Sequence, residues 1–233
     1  MDSIIIATTK TWNIDHAERL RKTMPECVVS IVSDRNDLAF DRIQKINPKY
    51  IFFPHWSWII PPDIYENFNC VLFHMTDLPF GRGGSPLQNL ISRGITETQI
   101  TAIKVSGGID TGDIYIKEPL NLNGGAEEIY IRAADIVFTK MIPYILSNNP
   151  VAIPQSGQPV VLARRTPEMS KLSSDMSISQ VFDHIRMLDA EGYPKAYIEF
   201  GEYKLSFSRP KLTSNGLQAD VFMEVIDDTT LKC

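Results

Sequence analysis

The chain has 233 residues, of which 43% are hydrophobic and 22% charged, so it can bury a core and is not disordered throughout. A net charge of −5 argues against a protein that holds nucleic acid on a broad basic face. The length exceeds that of a typical single domain. We therefore expect a large domain at residues 1–150 and a smaller one at residues 151–233.

Targeting and metal-binding signals are missing from the sequence. The N-terminal segment lacks the basic start and long apolar run of a signal peptide, and no stretch reaches the roughly 18 apolar residues of a membrane helix. Cys27, Cys70 and Cys233 have no paired spacing, so neither a disulfide framework nor a zinc site is expected, and the first two are predicted to be core residues. These features predict a cytoplasmic protein without membrane association or bound metal.

Short apolar segments alternate with amphipathic ones in the first half of the chain. Predicted strands are Ile4–Ala7, Val28–Val32, Tyr50–Phe53 and Cys70–Phe73. Predicted helices are one capped by Asn13 or Asp15 and ending near Met24, one over Asp37–Ile46, and a short one from Pro61. Strands that are apolar throughout are typical of parallel sheets covered on both faces. The pattern predicts an α/β fold with an open, mostly parallel, twisted sheet flanked by helices.

The second half contains a glycine-rich loop, a long amphipathic segment and a shorter tail. The predicted elements are a loop at Pro79–Ser85, a helix at Leu87–Arg93, strands at Thr101–Val105 and Asp113–Ile116, and one long helix at residues 125–147. A linker at Pro154–Pro159 should lead into a small β-rich C-terminal subdomain. Its predicted elements are a helix at Ile178–Ala190 and strands within Ala196–Phe200, Lys204–Phe207 and Gln218–Val225.

Residues suited to chemistry concentrate between His74 and Asp113. His74 directly follows a strand, where ligands bind in open α/β sheets and where a histidine can titrate near neutral pH; a hydrogen-bonded structural histidine is the alternative. Arg82 in the glycine-rich loop suits a phosphate group, although such a loop is also typical of a mobile surface turn. Asp110 and Asp113 lie in a tight turn, where aspartate also commonly bonds its own backbone.

Two segments together carry a family resemblance. FHMTDLPFGRGGSPLQNLI at residues 73–91, followed by GGIDTGDI at residues 107–114, resembles the formyltransferase family that uses N10-formyltetrahydrofolate. In that family a strand ends in Asn-x-His and is followed by a Leu-Pro segment, a glycine-containing loop and Leu-Asp-x-Gly. His74, Leu78-Pro79, Gly83 and Ile109–Gly112 fit this pattern. The resemblance implies a Rossmann-like formyltransferase fold over about the first 150 residues.

The resemblance also implies roles for individual residues. His74 would exchange a proton with the attacking amine, and Asp110 would orient His74 or relay a proton through water. The family asparagine two residues before the histidine helps to stabilise the oxyanion, but Leu72 stands there in this chain. Loss of one such donor costs roughly 10²–10³ in rate. Thr76 or the imidazolium of His74 could replace it; otherwise the chain would be a decayed binding protein for folate or a sugar nucleotide.

Pockets for the two substrates follow from the same resemblance. The pterin is expected to lie between two segments of the chain. These segments are Trp56, Ser57, Trp58 and Ile59, and Val105, Ser106, Gly107 and Gly108. The alternative for the two tryptophans is that they are plain core aromatics. The expected contacts to the acceptor come from Arg82, Gly84, Ser85 and Gln88. No metal is required, and N10-formyltetrahydrofolate is the expected co-substrate.

The tail suggests the acceptor. Arg164–Glu168, Ile185–Asp189 and Tyr193–Tyr197 resemble the C-terminal region of nucleotide-sugar N-formyltransferases, and the acidic residues of the tail disfavour tRNA. We therefore expect the acceptor to be a nucleotide-linked amino-deoxy sugar used in lipopolysaccharide or related glycan biosynthesis, with no nucleic-acid partner. The resemblance is compatible with a homodimer. The alternatives are a methionyl-tRNA or glycinamide-ribonucleotide formyltransferase.

Overall fold

The computed structural model describes residues 2–226, which contain eleven strands. Numbered along the chain, they are β1 (Asp2–Ala7), β2 (Cys27–Val32), β3 (Tyr50–Pro54), β4 (Cys70–His74), β5 (Phe80–Gly83), β6 (Glu97–Lys104), β7 (Ile114–Asn121), β8 (Val160–Leu162), β9 (Ala196–Phe200), β10 (Tyr203–Thr213) and β11 (Gly216–Val225). Six of them form the main sheet in the order β2-β1-β3-β4-β6-β7. Strands β1 to β4 pair in parallel, whereas β6 and β7 are antiparallel. The predicted open, mostly parallel sheet is confirmed.

Seven α-helices accompany the strands within the described residues. They are α1 (Thr11–Thr23), α2 (Phe40–Ile46), α3 (Pro62–Tyr65), α4 (Pro86–Ile91), α5 (Ala126–Ile136), α6 (Ile142–Asn148) and α7 (Ile178–Arg186). Helix α1 begins earlier than the sequence suggested, and Asn13 does not cap it. The Asn13 amide is buried and donates instead to Thr8 Oγ1 and to the Pro54 carbonyl, each at 3.1 Å.

The long helix predicted over residues 125–147 is interrupted. A single π-helical segment, Val137–Met141, separates α5 from α6. Pro143 lies in the first turn of α6 and has no backbone N–H to continue the α-helical ladder, which accounts for a break at this point. The apolar periodicity is preserved across the break, since Ile129, Val137, Met141 and Ile145 are all buried.

The core of the main sheet explains the apolar strands. Ile4, Ile5 and Ile6 of β1 are fully buried, as are Phe52 and Phe53 of β3, so both faces of these central strands are covered. Cys27 and Cys70 are buried core residues, and burial raises the pKa of the Cys70 thiol to about 12. Cys233 lies outside the described residues.

The described chain divides into two compact units. The first comprises residues up to Pro86, Glu97–Asn121 and Tyr130–Leu162, and the second comprises Leu87–Thr96, Leu122–Ile129 and the described residues from Ala163 onward. In the second unit, the antiparallel sheet β11-β10-β9 accompanies α7, which Ser177 and Gln180 cap. The predicted β-rich C-terminal piece with one helix is confirmed. The proposed domain division at residue 150 stays a prediction.

Candidate functional site

His74 is the last residue of β4, and its side chain is buried, with 7% of its surface exposed. Its Nε2 atom lies 2.7 Å from the carbonyl oxygen of Gly81. A carbonyl oxygen only accepts hydrogen bonds, so Nε2 carries the proton in the neutral ring. The lone pair of Nδ1 is then left on the opposite side of the ring, and Asp110 lies on that side.

Asp110 approaches His74 from the connection between β6 and β7. Its Oδ2 atom lies 3.6 Å from His74 Nδ1 and accepts a hydrogen bond of 2.9 Å from the Gly83 backbone N–H. Both side chains are about nine-tenths buried. Asp110 has a φ of +53°, a left-handed conformation that aspartate tolerates better than most residues. The structure therefore brings the predicted pair together, with a buried carboxylate 3.6 Å from a buried imidazole.

The predicted glycine-rich loop contains a strand, which corrects the interpretation of Pro79–Ser85 as a mobile turn. Strand β5 pairs in parallel with β8, and its glycines have positive φ angles of +84° at Gly81 and +102° at Gly83. A Cβ atom on Gly83 would lie 2.5 Å from the Leu162 carbonyl oxygen, and one on Gly81 would lie 2.6 Å from Thr76 Cγ2. These two glycines are thus required by close packing within the first unit.

Thr76 and Leu72 are the two residues that bear on the oxyanion donor expected from the family pattern. The Thr76 hydroxyl is fully buried and donates to the Gly81 carbonyl at 3.3 Å, the same oxygen that His74 uses. Thr76 would have to give up this bond in order to act on a substrate. Leu72 is half-buried, pairs in register with Phe53 and packs against an apolar cluster on one side of the sheet.

Trp56 and Val105 of the expected folate pocket pack against that same cluster. The Trp56 ring contacts Phe53 edge-on at 5.9 Å and Trp58 at 4.9 Å between ring centroids. Its Nε1–H is buried and has no hydrogen-bond acceptor within residues 2–226. Trp58 and Ile59 are 39% and 89% exposed, and Ser57 is exposed as well, so this segment is not simply core. An apolar wall with one unused donor fits a flat heterocycle that carries hydrogen-bond acceptors.

The turn that follows Val105 forms the other expected side of the folate pocket. The Val105 N–H donates to the Cys70 carbonyl at 2.9 Å, which attaches the start of the turn to β4. Ser106 Oγ and Thr111 Oγ1 lie 3.2 Å apart across the turn. Gly107 is close to Tyr65, and a Cβ atom on Gly108 would lie 2.4 Å from Thr111 Oγ1. The turn is therefore closed by its own side chains.

The four predicted acceptor residues divide between the two units. Arg82, Gly84 and Ser85 lie in the first unit, where the Gly84 N–H donates to the Leu162 carbonyl at 3.2 Å and Ser85 has a φ of +50°. Gln88 lies in the second unit, is 98% buried, and its Nε2 donates to the Met187 carbonyl at 3.1 Å. The amide of Gln88 therefore has a structural role there.

Gln155 is a residue of the site that the sequence did not reveal. It falls in the segment predicted to be a linker, yet its Oε1 accepts from Arg82 Nε at 3.1 Å and from Arg82 Nη2 at 2.7 Å. Its Nε2 donates to the carbonyls of Asp110 and Gly112, each at 2.8 Å. A single glutamine in a Pro- and Gly-containing segment gave no signal of this role.

Residues 2–226 show neither a membrane-spanning helix nor a cluster of metal ligands. Their helices are all too short or too polar to span a bilayer. No group of three or more His, Cys, Asp or Glu side chains in that range is arranged to hold a metal ion.

Comparisons with known proteins place this chain in a family. A structure described as methionyl-tRNA formyltransferase from Clostridium thermocellum is 53% identical, with a TM-score of 0.96 over 97% of this chain and 100% of that one. The chain belongs to the formyltransferase family. Members of this family are enzymes that take the formyl group from N10-formyltetrahydrofolate, which confirms the enzyme class and co-substrate expected from the resemblance.

Other comparisons agree on the family and show how much of each relative this chain covers. Residues 167–224 match the family described as methionyl-tRNA formyltransferase, C-terminal domain. The methionyl-tRNA formyltransferase of Rickettsia felis is 30% identical over 174 residues, which is 72% of this chain and 57% of that protein. The chain thus spans little more than half of that relative. A sugar N-formyltransferase from Shewanella has a TM-score of 0.70 over 92% of this chain and 100% of its own, but at 14% identity it shows only the shared fold.

The expected sugar acceptor is wrong. The relatives that are similar in sequence as well as in fold are methionyl-tRNA formyltransferases, which act on an aminoacyl-tRNA. This overturns the predicted nucleotide-linked amino sugar, the assignment to lipopolysaccharide biosynthesis and the exclusion of a nucleic-acid partner. Among the alternatives, the comparisons favour methionyl-tRNA formyltransferase.

The acidic residues of the tail misled the prediction because they were counted without their partners. Between Ala163 and Ile226 the sequence has nine Asp or Glu but also eight Lys or Arg, so this stretch is nearly neutral. Five of its carboxylates form ion pairs there: Asp183 with Arg186, Asp189 with Lys195, Glu199 with Lys171, Asp220 with Arg209 and Glu224 with Lys204. Composition alone therefore carried no information against an RNA partner.

Proposed function

We propose that this chain transfers a formyl group from N10-formyltetrahydrofolate to the α-amine of a methionyl-tRNA. The observation that carries the proposal is the buried His74–Asp110 pair, with 3.6 Å between Nδ1 and Oδ2, in a chain that belongs to the formyltransferase family. The names of the similar proteins support methionyl-tRNA as the acceptor.

The proton chemistry rests on His74. An amine that attacks a formyl carbon must lose a proton, and a positioned histidine contributes typically 10²–10⁴-fold to such a transfer. Asp110 stabilises the imidazolium that forms, because its carboxylate is held beside Nδ1 by the Gly83 N–H. The fixed bond from Nε2 to the Gly81 carbonyl keeps the ring from rotating. The family asparagine is replaced by Leu72, and both N–H groups of a His74 imidazolium would face the Gly81 carbonyl and Asp110. Thr76 is therefore the candidate donor to the oxyanion, at the cost of its bond to the Gly81 carbonyl.

The folate pocket is assigned to the apolar wall beside Leu72. When bound, the folate supplies the formyl carbon, and the chain supplies an apolar surface and the unused donor of Trp56. Two segments would hold the folate together with Trp56. They are the turn at Val105, Ser106, Gly107 and Gly108, and the exposed residues Ser57, Trp58 and Ile59. On the acceptor side, Arg82, with Gly84 and Ser85 next to it, supplies a cation for a phosphate group.

The proposed acceptor can be tested by comparing three candidate acceptors in separate reactions. The protein is incubated with N10-formyltetrahydrofolate and either methionyl-tRNA, uncharged tRNA or free methionine, and released tetrahydrofolate is measured together with formyl-methionine after deacylation. The proposal predicts turnover only with methionyl-tRNA. Turnover with none of the three, in a protein shown to bind folate, would refute the proposed acceptor.

A further inference from the structure

Gln155 links the turn that carries Asp110 to the guanidinium group of Arg82. All four polar positions of its amide are used: Nε2 donates to the Asp110 and Gly112 carbonyls, and Oε1 accepts from Arg82 Nε and Nη2. Rotating the amide by half a turn would place its oxygen against two carbonyl oxygens and its NH₂ group against a guanidinium. Only one orientation is therefore compatible with its surroundings.

The backbone of the Asp110 turn needs a contact such as the two hydrogen bonds from Gln155. Asp110 has a left-handed backbone, and the preceding residue, Ile109, is largely exposed and adds little packing. At the other end of the turn, Gly112 is pressed so closely against the Lys104 carbonyl that a Cβ atom would lie 1.6 Å from that oxygen. Gln155 connects these two points, because it bonds the backbone of both Asp110 and Gly112.

The guanidinium group of Arg82 has charge and N–H donors available for a ligand. It is half-buried and forms no ion pair with a carboxylate of residues 2–226. Its hydrogen bonds to Gln155 use Nε and one N–H of Nη2, whereas a guanidinium offers five N–H donors. A half-buried cation that forms no ion pair with a carboxylate among the described residues is suited to an anionic group of a ligand.

We propose that Gln155 is a positioning residue that couples acceptor binding to the proton-transferring pair. A phosphodiester oxygen of the acceptor would bind Arg82, whose guanidinium holds Gln155 Oε1. Gln155 in turn holds the Asp110 backbone, so the carboxylate stays beside His74. The coupling rests on the proposed function, whereas the placement of Asp110 by Gln155 does not depend on which acceptor is used.

The first test measures the pH dependence of turnover in Gln155→Glu. A carboxylate at this position can still bind Arg82 but cannot donate to the two carbonyls, so kcat should fall about 10- to 100-fold and its pH profile should shift. Gln218→Glu is the matched control, since Gln218 is exposed on β11. A merely structural effect would lower the active fraction equally at all pH values. An unchanged shape of the pH profile in Gln155→Glu would overturn the proposal.

The second test is a double-mutant cycle between Gln155→Ala and Arg82→Ala. If the two residues act as one unit, the double variant loses scarcely more kcat/KM than the worse single variant. Additive losses would overturn the coupling.

A third readout separates this proposal from the proposed acceptor. The NMR signals of the His74 ring in the protein alone should move in Gln155→Ala but not in Gln218→Ala. Unmoved His74 signals would refute the positioning role, even in a protein that formylates methionyl-tRNA normally. Conversely, moved signals in a protein that formylates nothing would uphold the placement of Asp110 and refute only the function.

Discussion

Nδ1 of His74 and Oδ2 of Asp110 lie 3.6 Å apart because β5 holds both side chains from one strand. The Gly81 carbonyl accepts from the imidazole, and two residues later the Gly83 N–H donates to the carboxylate. The parallel strand β8 in turn packs so closely on β5 that Gly83 cannot carry a side chain. Backbone bonds from one strand thus hold the imidazole and the carboxylate side by side, an arrangement that suits the proton transfer proposed for the pair.

Replacing Leu72 by asparagine should restore the family's oxyanion donor. We expect kcat to rise about 10-fold or more, while stability falls by about 1–2 kcal/mol, since a half-buried leucine that packs on the apolar cluster is lost. Steady-state formylation kinetics and urea denaturation measure the two effects. Leu72→Ala is the control, because it loses the packing without gaining a donor. If kcat does not rise in Leu72→Asn, another group already provides the hydrogen bond.

Replacing Trp56 by phenylalanine should weaken folate binding without weakening the fold. The substitution keeps an aromatic ring but removes a buried N–H that has no acceptor among the described residues. One neutral hydrogen bond is worth about 1 kcal/mol, so we expect the Kd for N10-formyltetrahydrofolate to rise about fivefold. Titration calorimetry and thermal unfolding provide the two readouts, with Trp12→Phe as the control, since Trp12 is a buried tryptophan outside the expected pocket. Equal affinity of wild type and Trp56→Phe for N10-formyltetrahydrofolate would show that the Trp56 N–H does not bind the folate.

The Gly112→Ala substitution should destabilise the first unit severely. The added Cβ atom would lie 1.6 Å from the Lys104 carbonyl oxygen, and the obstructing atoms are backbone, which cannot rotate away as a side chain can. We expect a loss of about 3 kcal/mol or more in the free energy of unfolding. Gly125→Ala is the matched control, since a Cβ atom there meets nothing within 4 Å. Equal denaturation midpoints for the two variants would contradict this packing.

We expect the folded protein to lose stability in acid because of the buried side chain of His55. Burial lowers the pKa of His55 from 6.5 to about 4, with a smaller contribution from Lys10. Between these values the unfolded chain binds more protons than the folded one, so the free energy of unfolding decreases as pH falls from 6.5 to 4, by up to about 3 kcal/mol. His55→Asn keeps a residue type that tolerates the φ of +57° and removes this titration. The variant should therefore lose less stability than wild type between pH 7 and pH 4.5 in urea denaturation, and parallel losses would rule out His55 as the source.

The sequence predicted those features that depend on local patterns. The apolar strands β1 to β4, the position of His74 after β4 and the Asp110 turn all follow from burial periodicity and from the motif. Strand β5 was mistaken for a loop because its pairing with β8 joins segments that are distant in the chain. The same is true of Gln155, whose four bonds are visible only in three dimensions.

The wrongly predicted acceptor shows a second limit of prediction from sequence, which concerns charge. The tail of the chain was judged by its acidic residues, although ion pairs to nearby lysines and arginines neutralise five of them. A residue count records the charge of a segment but not which charges cancel locally. The comparisons overturned the expected sugar acceptor, because the chain is 53% identical over 97% of its length to a structure described as methionyl-tRNA formyltransferase.

The most direct test of the account is the transfer of a labelled formyl group to methionyl-tRNA by wild type, His74→Asn and His55→Asn. The two variants make the same chemical change, but only the first removes the proposed proton acceptor beside Asp110. The account predicts labelled formyl-methionyl-tRNA from wild type and from His55→Asn at pH 7, with the rate of His74→Asn at least about 10²-fold lower and folate binding retained. Formylation by His74→Asn at the wild-type rate would contradict it.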